Sequence, residues 1–207
     1  MYTFKYKEVA EALHDALIFD PFIITITQQV PGSAADKQLA LTSYMDYSMT
    51  EAETYGRLFI PDERYGASIW AKPPGTLLES EKSTGKQAFI KYYLGPDALA
   101  VWLTITNFMH NQLHGVITDD TWYLSLVGVN PALQGQGLGA GLITPVLKET
   151  DGLAVATYLE TFNPKNISFY KRLGYEIALG VAEPVTGATY WVLVREPIIN
   201  ITGNNRL

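Results

Sequence analysis

Apolar residues in the first half of the chain recur at helical spacing. Val9, Leu13, Leu17 and Ile18 fall on one stripe of a 3.6-residue period. The helix they predict ends at Asp20-Pro21, because a proline ring disfavours the helical conformation in the residue before it. Residues 22–30 stay open between two readings: their β-branched side chains argue for a strand, their neighbours for a helix. A second helix is predicted over residues 34–49. Residues 55–60 and 67–71 read as two strands around the turn Pro61-Asp62-Glu63-Arg64, with Lys72-Pro73-Pro74-Gly75 closing the hairpin. Two more helices follow, split by Gly95-Pro96.

The second half alternates more cleanly. Strands are predicted over residues 122–129, 154–160, 175–181 and 190–195, with helices over 138–149 and 164–173 between them. Pro145 should kink the first of these helices, with Gly141 four residues earlier easing the bend. The polar tail from Asn200 to Leu207 is expected to fray. No repeat, low-complexity tract or linker divides the chain, so the pattern predicts one mixed α/β (α+β) domain over residues 1–207.

Composition narrows the function. The chain is 47% hydrophobic and only 17% charged, against the ~25% usual for soluble domains. Its 13 Tyr, 8 Phe and 4 Trp hint at an apolar cleft or a partner interface, although core packing explains most aromatics. A net charge of −6 with no Lys/Arg cluster argues against a nucleic-acid partner. The absence of cysteine removes disulfides, thiolate metal sites and a cysteine nucleophile. The first residues lack a signal-peptide pattern and no apolar run is long enough to cross a bilayer, so the expectation is a soluble, cytoplasmic protein without a membrane partner.

The candidate chemistry gathers where the apolar run Leu124 to Val129 enters a glycine-rich bend, Gln134-Gly135-Gln136-Gly137-Leu138-Gly139-Ala140, from which a helix opens. The first amides of a helix have no internal partner and sit at its positive end, and glycines let an anion approach them. A nucleoside-triphosphate loop is excluded, because no Gly-Lys-Ser/Thr follows. A dinucleotide fingerprint fits through Gly135-x-Gly137-x-x-Ala140, with Glu160 in the place of the ribose-binding acid. Against it, five residues including a proline separate Val129 from Gly135, and no second nucleotide-binding half follows. A glycine-rich turn with no ligand is the remaining alternative.

The spacing Gln134-x-x-Gly137-x-Gly139 after a strand resembles the pyrophosphate-binding motif of the GNAT acetyltransferase superfamily. Residues 158–175 look like that family's second hallmark, with Asn163 as N-cap, Pro164 at the first helical position and Gly174 past the end. Asn163, Asn166 and Tyr170, spaced i, i+3 and i+7, form a polar stripe expected to face inward among Ile167, Phe169 and Leu173. Taken with Trp122-Tyr123-Leu124 and Leu159-Glu160-Thr161, the second half resembles puromycin N-acetyltransferase-like proteins, and the first half agrees only loosely.

This resemblance implies a GNAT acyl-CoA N-acyltransferase fold: a mixed, mostly antiparallel sheet that splays between two parallel strands and is flanked by helices. It implies that residues 1–115 lie mainly on the acceptor side and residues 120–196 form the acetyl-CoA-binding core. Acetyl-CoA would be held by Val127, Gly128, Val129, Gln134, Gly135, Gln136, Gly137, Leu138, Gly139, Ala140, Asn163, Asn166 and Phe169. Gly128 would permit a bulge, and an amide near Val129 would face the thioester carbonyl. Tyr170 would be the general acid, with a phenol near its ordinary value of about 10. Glu160 would be the base, or an ordinary strand-end carboxylate.

The activity implied is direct transfer of acetyl from acetyl-CoA to a primary amine of a small molecule, in a monomer or homodimer. A non-catalytic acyl-CoA-binding or sensing domain is the alternative from another class. His110 and His114, four apart, would need a third ligand to hold a metal, and the only other histidine is His14, so no metal is expected.

Overall fold

The computed structural model describes residues 2–73 and 76–199, so the predicted turn at Pro74-Gly75 and the tail 200–207 lie outside the described residues. Five helices come first, interrupted by a hairpin: α1 (Lys7–Leu17), α2 (Pro21–Gln29), α3 (Ala34–Tyr55), β1 (Gly56–Phe59), β2 (Gly66–Ala71), α4 (Thr76–Tyr93) and α5 (Pro96–Gln112). Then come β3 (Trp122–Val129), α6 (Leu138–Gly152), β4 (Thr157–Thr161), α7 (Ile167–Arg172), β5 (Glu176–Ala182) and β6 (Thr189–Arg195). Short 3₁₀ turns, Pro131–Leu133 and Pro164–Asn166, precede α6 and α7.

The ambiguous segment is helical. Asp20 caps it by accepting from the Phe22 amide at 2.9 Å, and Pro21 at the first position pre-sets the backbone. Ile23 and Ile26 then bury one face. That local start, with tertiary burial, overrides the β-branched propensity. Helix α3 starts with a Ser33/Asp36 capping box and runs six residues past the predicted end, into what had looked like the first strand.

The six strands form one sheet in the order β1-β2-β3-β4-β6-β5. Every neighbouring pair is antiparallel except β3 and β4. A large apolar cluster joins α1–α5 to one face through Ala67, Ile69, Tyr158 and Val192. A second cluster joins α6 and α7 to the other through Trp70, Leu124, Leu159 and Leu193, as alternation along a strand requires. Asp46, fully buried on α3, ties down the N-terminus by accepting from the Tyr2 hydroxyl at 2.7 Å and the Tyr6 amide at 2.6 Å.

Pro145 lies inside α6, and the helix runs continuously through it. A proline there removes a donor and disturbs the carbonyls one turn earlier. The Ser68 hydroxyl of β2 donates to the Leu142 carbonyl at 2.6 Å, supplying a partner from outside the helix.

Candidate active site

The parallel pair is short. Only Trp122, Tyr123 and Leu124 of β3 face Thr157, Tyr158 and Leu159 of β4, and pairing stops there. The cause sits on β3: opposite β2, Leu126 pairs with Ile69 and Leu124 with Trp70, so Ser125 is an extra residue. Its hydroxyl bonds back to the Ile69 carbonyl at 3.1 Å. An inserted residue bends its strand and raises its twist. The expected bulge is therefore present, but at Ser125 rather than Gly128. Gly128 serves a different end: a Cβ there would come within 3.0 Å of both Ala16 and Leu13, so its bareness lets α1 lie close on β3.

Beyond Leu124 and Leu159 the strands part around a cavity of about 420 Å³. Leu124 to Val127 line one side of the gap; Glu160, Thr161 and Phe162 line the other. Tyr44 and Tyr158 belong to the apolar cluster of one face, Trp70 and Tyr170 to that of the other, and all four border this cavity. It therefore reaches both layers of the fold.

The glycine bend stands at the end of β3. The Asn130 amide donates to Tyr65, and its side chain caps the 3₁₀ turn by accepting from Ala132 at 3.0 Å. Gln134 turns back to donate to the Val129 carbonyl at 3.0 Å, which pins the loop. Gly135 and Gly137 have φ of +80° and +78°, in the left-handed region, and a Cβ on either would meet nothing within 4 Å. Gly137 is the N-cap of α6, so Leu138, Gly139 and Ala140 present the first amides of that helix. A Cβ on Gly139 would stand 3.2 Å from the Phe169 ring, which brings α7 against this end of α6.

The predicted polar stripe is only partly realised. Asn163 is exposed, its side chain accepting from the Lys165 amide at 3.1 Å, and Asn166 is exposed as well. The chain from Pro164 to Asn166 is 3₁₀, with three residues per turn instead of 3.6, so the wheel drawn across 163–170 loses phase. Asn166 still borders the cavity alongside Tyr170, whereas Asn163 does not. Tyr170 is buried, and burial pushes its phenol above the ordinary value, with Tyr175 and Asp20 adding to the shift. The unperturbed phenol expected from the sequence is corrected accordingly.

Glu160 is half-buried, but its Oε1 is sealed from solvent with no hydrogen-bond partner among the described residues. Burial raises its carboxyl to about 7, opposed by the neighbouring Tyr123 phenol, which favours the ionised form. Tyr123 stacks on Tyr158 at 4.6 Å between ring centres, one rung below the split.

Sequence reasoning missed one part of the cavity. Glu51 on α3 and Lys86 on α4 line it as an ion pair of 3.2 Å, and the Lys86 ammonium also donates to Ser48 at 2.9 Å. They lie 35 residues apart, so no spacing announces them. The available signal was a polar residue on a helix whose buried positions fall on all sides. His110 and His114 rings are 5.9 Å apart, and among the described residues no cluster of three His, Cys, Asp or Glu is arranged for a metal. Nor, among the same residues, is any helix long and apolar enough to cross a membrane.

Residues 101–177 match the family model of the acetyltransferase (GNAT) domain. Among solved structures, the chain is similar to "histone acetyltransferase HPA2 and related acetyltransferase" from Corynebacterium glutamicum, with 16% identity, TM-score 0.65, and 95% of this chain and 93% of that one covered. A polyamine N-acetyltransferase of Drosophila melanogaster that forms N-acetylagmatine gives 17% identity and TM-score 0.53 over 91% and 95% of the two chains. An agmatine N-acetyltransferase gives 15% and 0.55 over 90% and 94%.

Proposed function

We propose that the protein, whose residues 101–177 match the acetyltransferase (GNAT) domain model, transfers acetyl from acetyl-CoA to a primary amine of a small molecule. The observation that carries this reading is the parting of β3 and β4, which leaves Glu160 and Tyr170 on one cavity just beyond an open glycine cradle. The names of two fold neighbours, acting on agmatine and on polyamines, agree with an amine acceptor.

The residues fit the co-substrate. Gly135 and Gly137 leave room that any side chain would fill, and the amides of Leu138, Gly139 and Ala140 suit a pyrophosphate at the start of α6. Val127, Gly128, Val129, Gln136, Asn166 and Phe169 complete the bound arm in this proposal; Gln134 and Asn163 act on it through the loop and the turn they hold. When bound, acetyl-CoA supplies the activated acyl group.

The amine nitrogen bonds to the acyl carbon as the carbon–sulfur bond breaks. Glu160, with a carboxyl at about 7, takes the surplus proton from nitrogen. The Tyr170 phenol gives a proton to the departing sulfur, and solvent restores both groups. Burial weakens the phenol as an acid. Desolvation also raises the affinity of the departing thiolate for the proton, which offsets part of that weakening.

The test is thiol release across a panel of amines. Amine-dependent release is expected, and Tyr170→Phe should lower turnover by about one to three decades with the dissociation constant of acetyl-CoA nearly unchanged. Full turnover in that variant would remove Tyr170 from the chemistry. Acetyl-CoA binding with no release on any amine would leave a sensing domain.

A further inference from the structure

The end of the cavity formed by α3 and α4 carries an unusual set of polar atoms. Glu51 uses Oε2 on Lys86, while its Oε1 is buried without a partner among the described residues. Its side chain is 12% exposed, and that of Lys86 11%. A buried carboxylate oxygen left unpartnered is costly, so such an atom points to a donor that arrives with something else.

The place beside that carboxylate where a cation would sit is already taken. The Lys86 ammonium lies 4.8 Å from the centre of the Tyr44 ring and 5.0 Å from that of Tyr47, and is held at Ser48 and Glu51. A second cation brought to Glu51 would meet that ammonium in a poorly solvated site, where like charges repel most strongly. A neutral donor meets no such opposition.

We infer that the acceptor is a primary amine whose far end carries a neutral hydrogen-bond donor, a hydroxyl or amide N–H, received by Glu51 Oε1 in the subsite held by Lys86. The amine end lies toward Glu160, and an apolar body spans the stretch lined by Trp102, Tyr158 and Phe162. This rests on the acetyl-transfer reading and narrows it: an α,ω-diamine or a guanidino amine, as the names of the two amine-acetylating neighbours would suggest, is the disfavoured class.

The experiment compares ω-amino alcohols, α,ω-diamines and plain alkylamines of four to eight carbons. Thiol release is followed with acetyl-CoA, and binding is measured by calorimetry with CoA present. Amino alcohols should exceed diamines of equal length at least tenfold in kcat/KM and in affinity. Lys86→Met should cut that ratio at least tenfold in favour of diamines. Glu51→Gln should raise the KM for amino alcohols about tenfold more than that for alkylamines, which serves if the lysine variant does not fold. Diamines equal to or better than amino alcohols in the unmodified protein would overturn the subsite. So would a ratio indifferent to both substitutions, the result expected if Oε1 holds only an ordered water. Preferential binding of amino alcohols without any thiol release would strike the transfer reading and leave the subsite standing.

Discussion

Glu160 closes a strand with one carboxylate oxygen shut away from water, and that single fact ties stability to chemistry. Its carboxyl stands at about 7 in the fold against 4.5 for the free group, so the folded state holds a proton that the unfolded chain releases. Folding is therefore favoured by this group below pH 4.5, and the benefit drains away as pH rises to about 7. The span amounts to at most about 3 kcal/mol. Glu160→Gln fixes the neutral state: denaturant unfolding should show the variant gaining on the parent protein from pH 5 to about 7 and levelling off above it. The same substitution should abolish the rise of kcat/KM through pH 7. A pH-independent stability difference would mean the carboxyl is not perturbed. Glu160 and Tyr170 were legible as candidates from strand end and motif, and the inward face of Tyr170 from helical spacing; the burial of Glu160 was not, because it depends on helical layers that no local pattern specifies. Glu51 and Lys86 were invisible for the same reason, since only the packing of α3 against α4 brings them together.

Among the elements, the glycine bend was read most fully. Its boundaries follow from local chemistry: an Asn-Pro start, two glycines with positive φ and a helix opening at Leu138. Where reading failed, the cause was a period assumed too uniformly. A 3.6-residue wheel ran through a 3₁₀ turn at Pro164–Asn166, and the bulge was assigned to the glycine when Ser125 carries it. The bend also makes the cleanest element-level prediction. Gly137→Ala places a Cβ in open space, so any cost is conformational, about 1–2 kcal/mol for a left-handed residue. If the loop relaxes to avoid that strain, the first amides of α6 turn away from the anion. Acetyl-CoA affinity should then fall about tenfold, with a far smaller change in the KM of the amine. Calorimetry with acetyl-CoA, beside kinetics at saturating acetyl-CoA, separates the two. An equal loss on both substrates would mean that the bend shapes the acceptor side too.

At the scale of the molecule, the two halves share one sheet. β2 from the first half pairs with β3 from the second along six rungs, and α1 lies on β3 at Gly128. The first half alone would expose the β3-facing edge of β2, while the second would lose the layer that covers Tyr158 and Val192. Neither holds a closed core, which argues for one cooperative unit across the chain. Unfolding followed by far-UV circular dichroism and by tryptophan emission should give coincident midpoints, because Trp102 lies in the first half and Trp122 and Trp191 in the second. Acetyl-CoA at 100 times its dissociation constant should move both by the same amount, about 2.7 kcal/mol. Two separated transitions, only one of them shifted by the ligand, would show that the halves unfold as separate units, one docked upon the other. In that case the cavity, whose walls come from both halves, would open before either half unfolds.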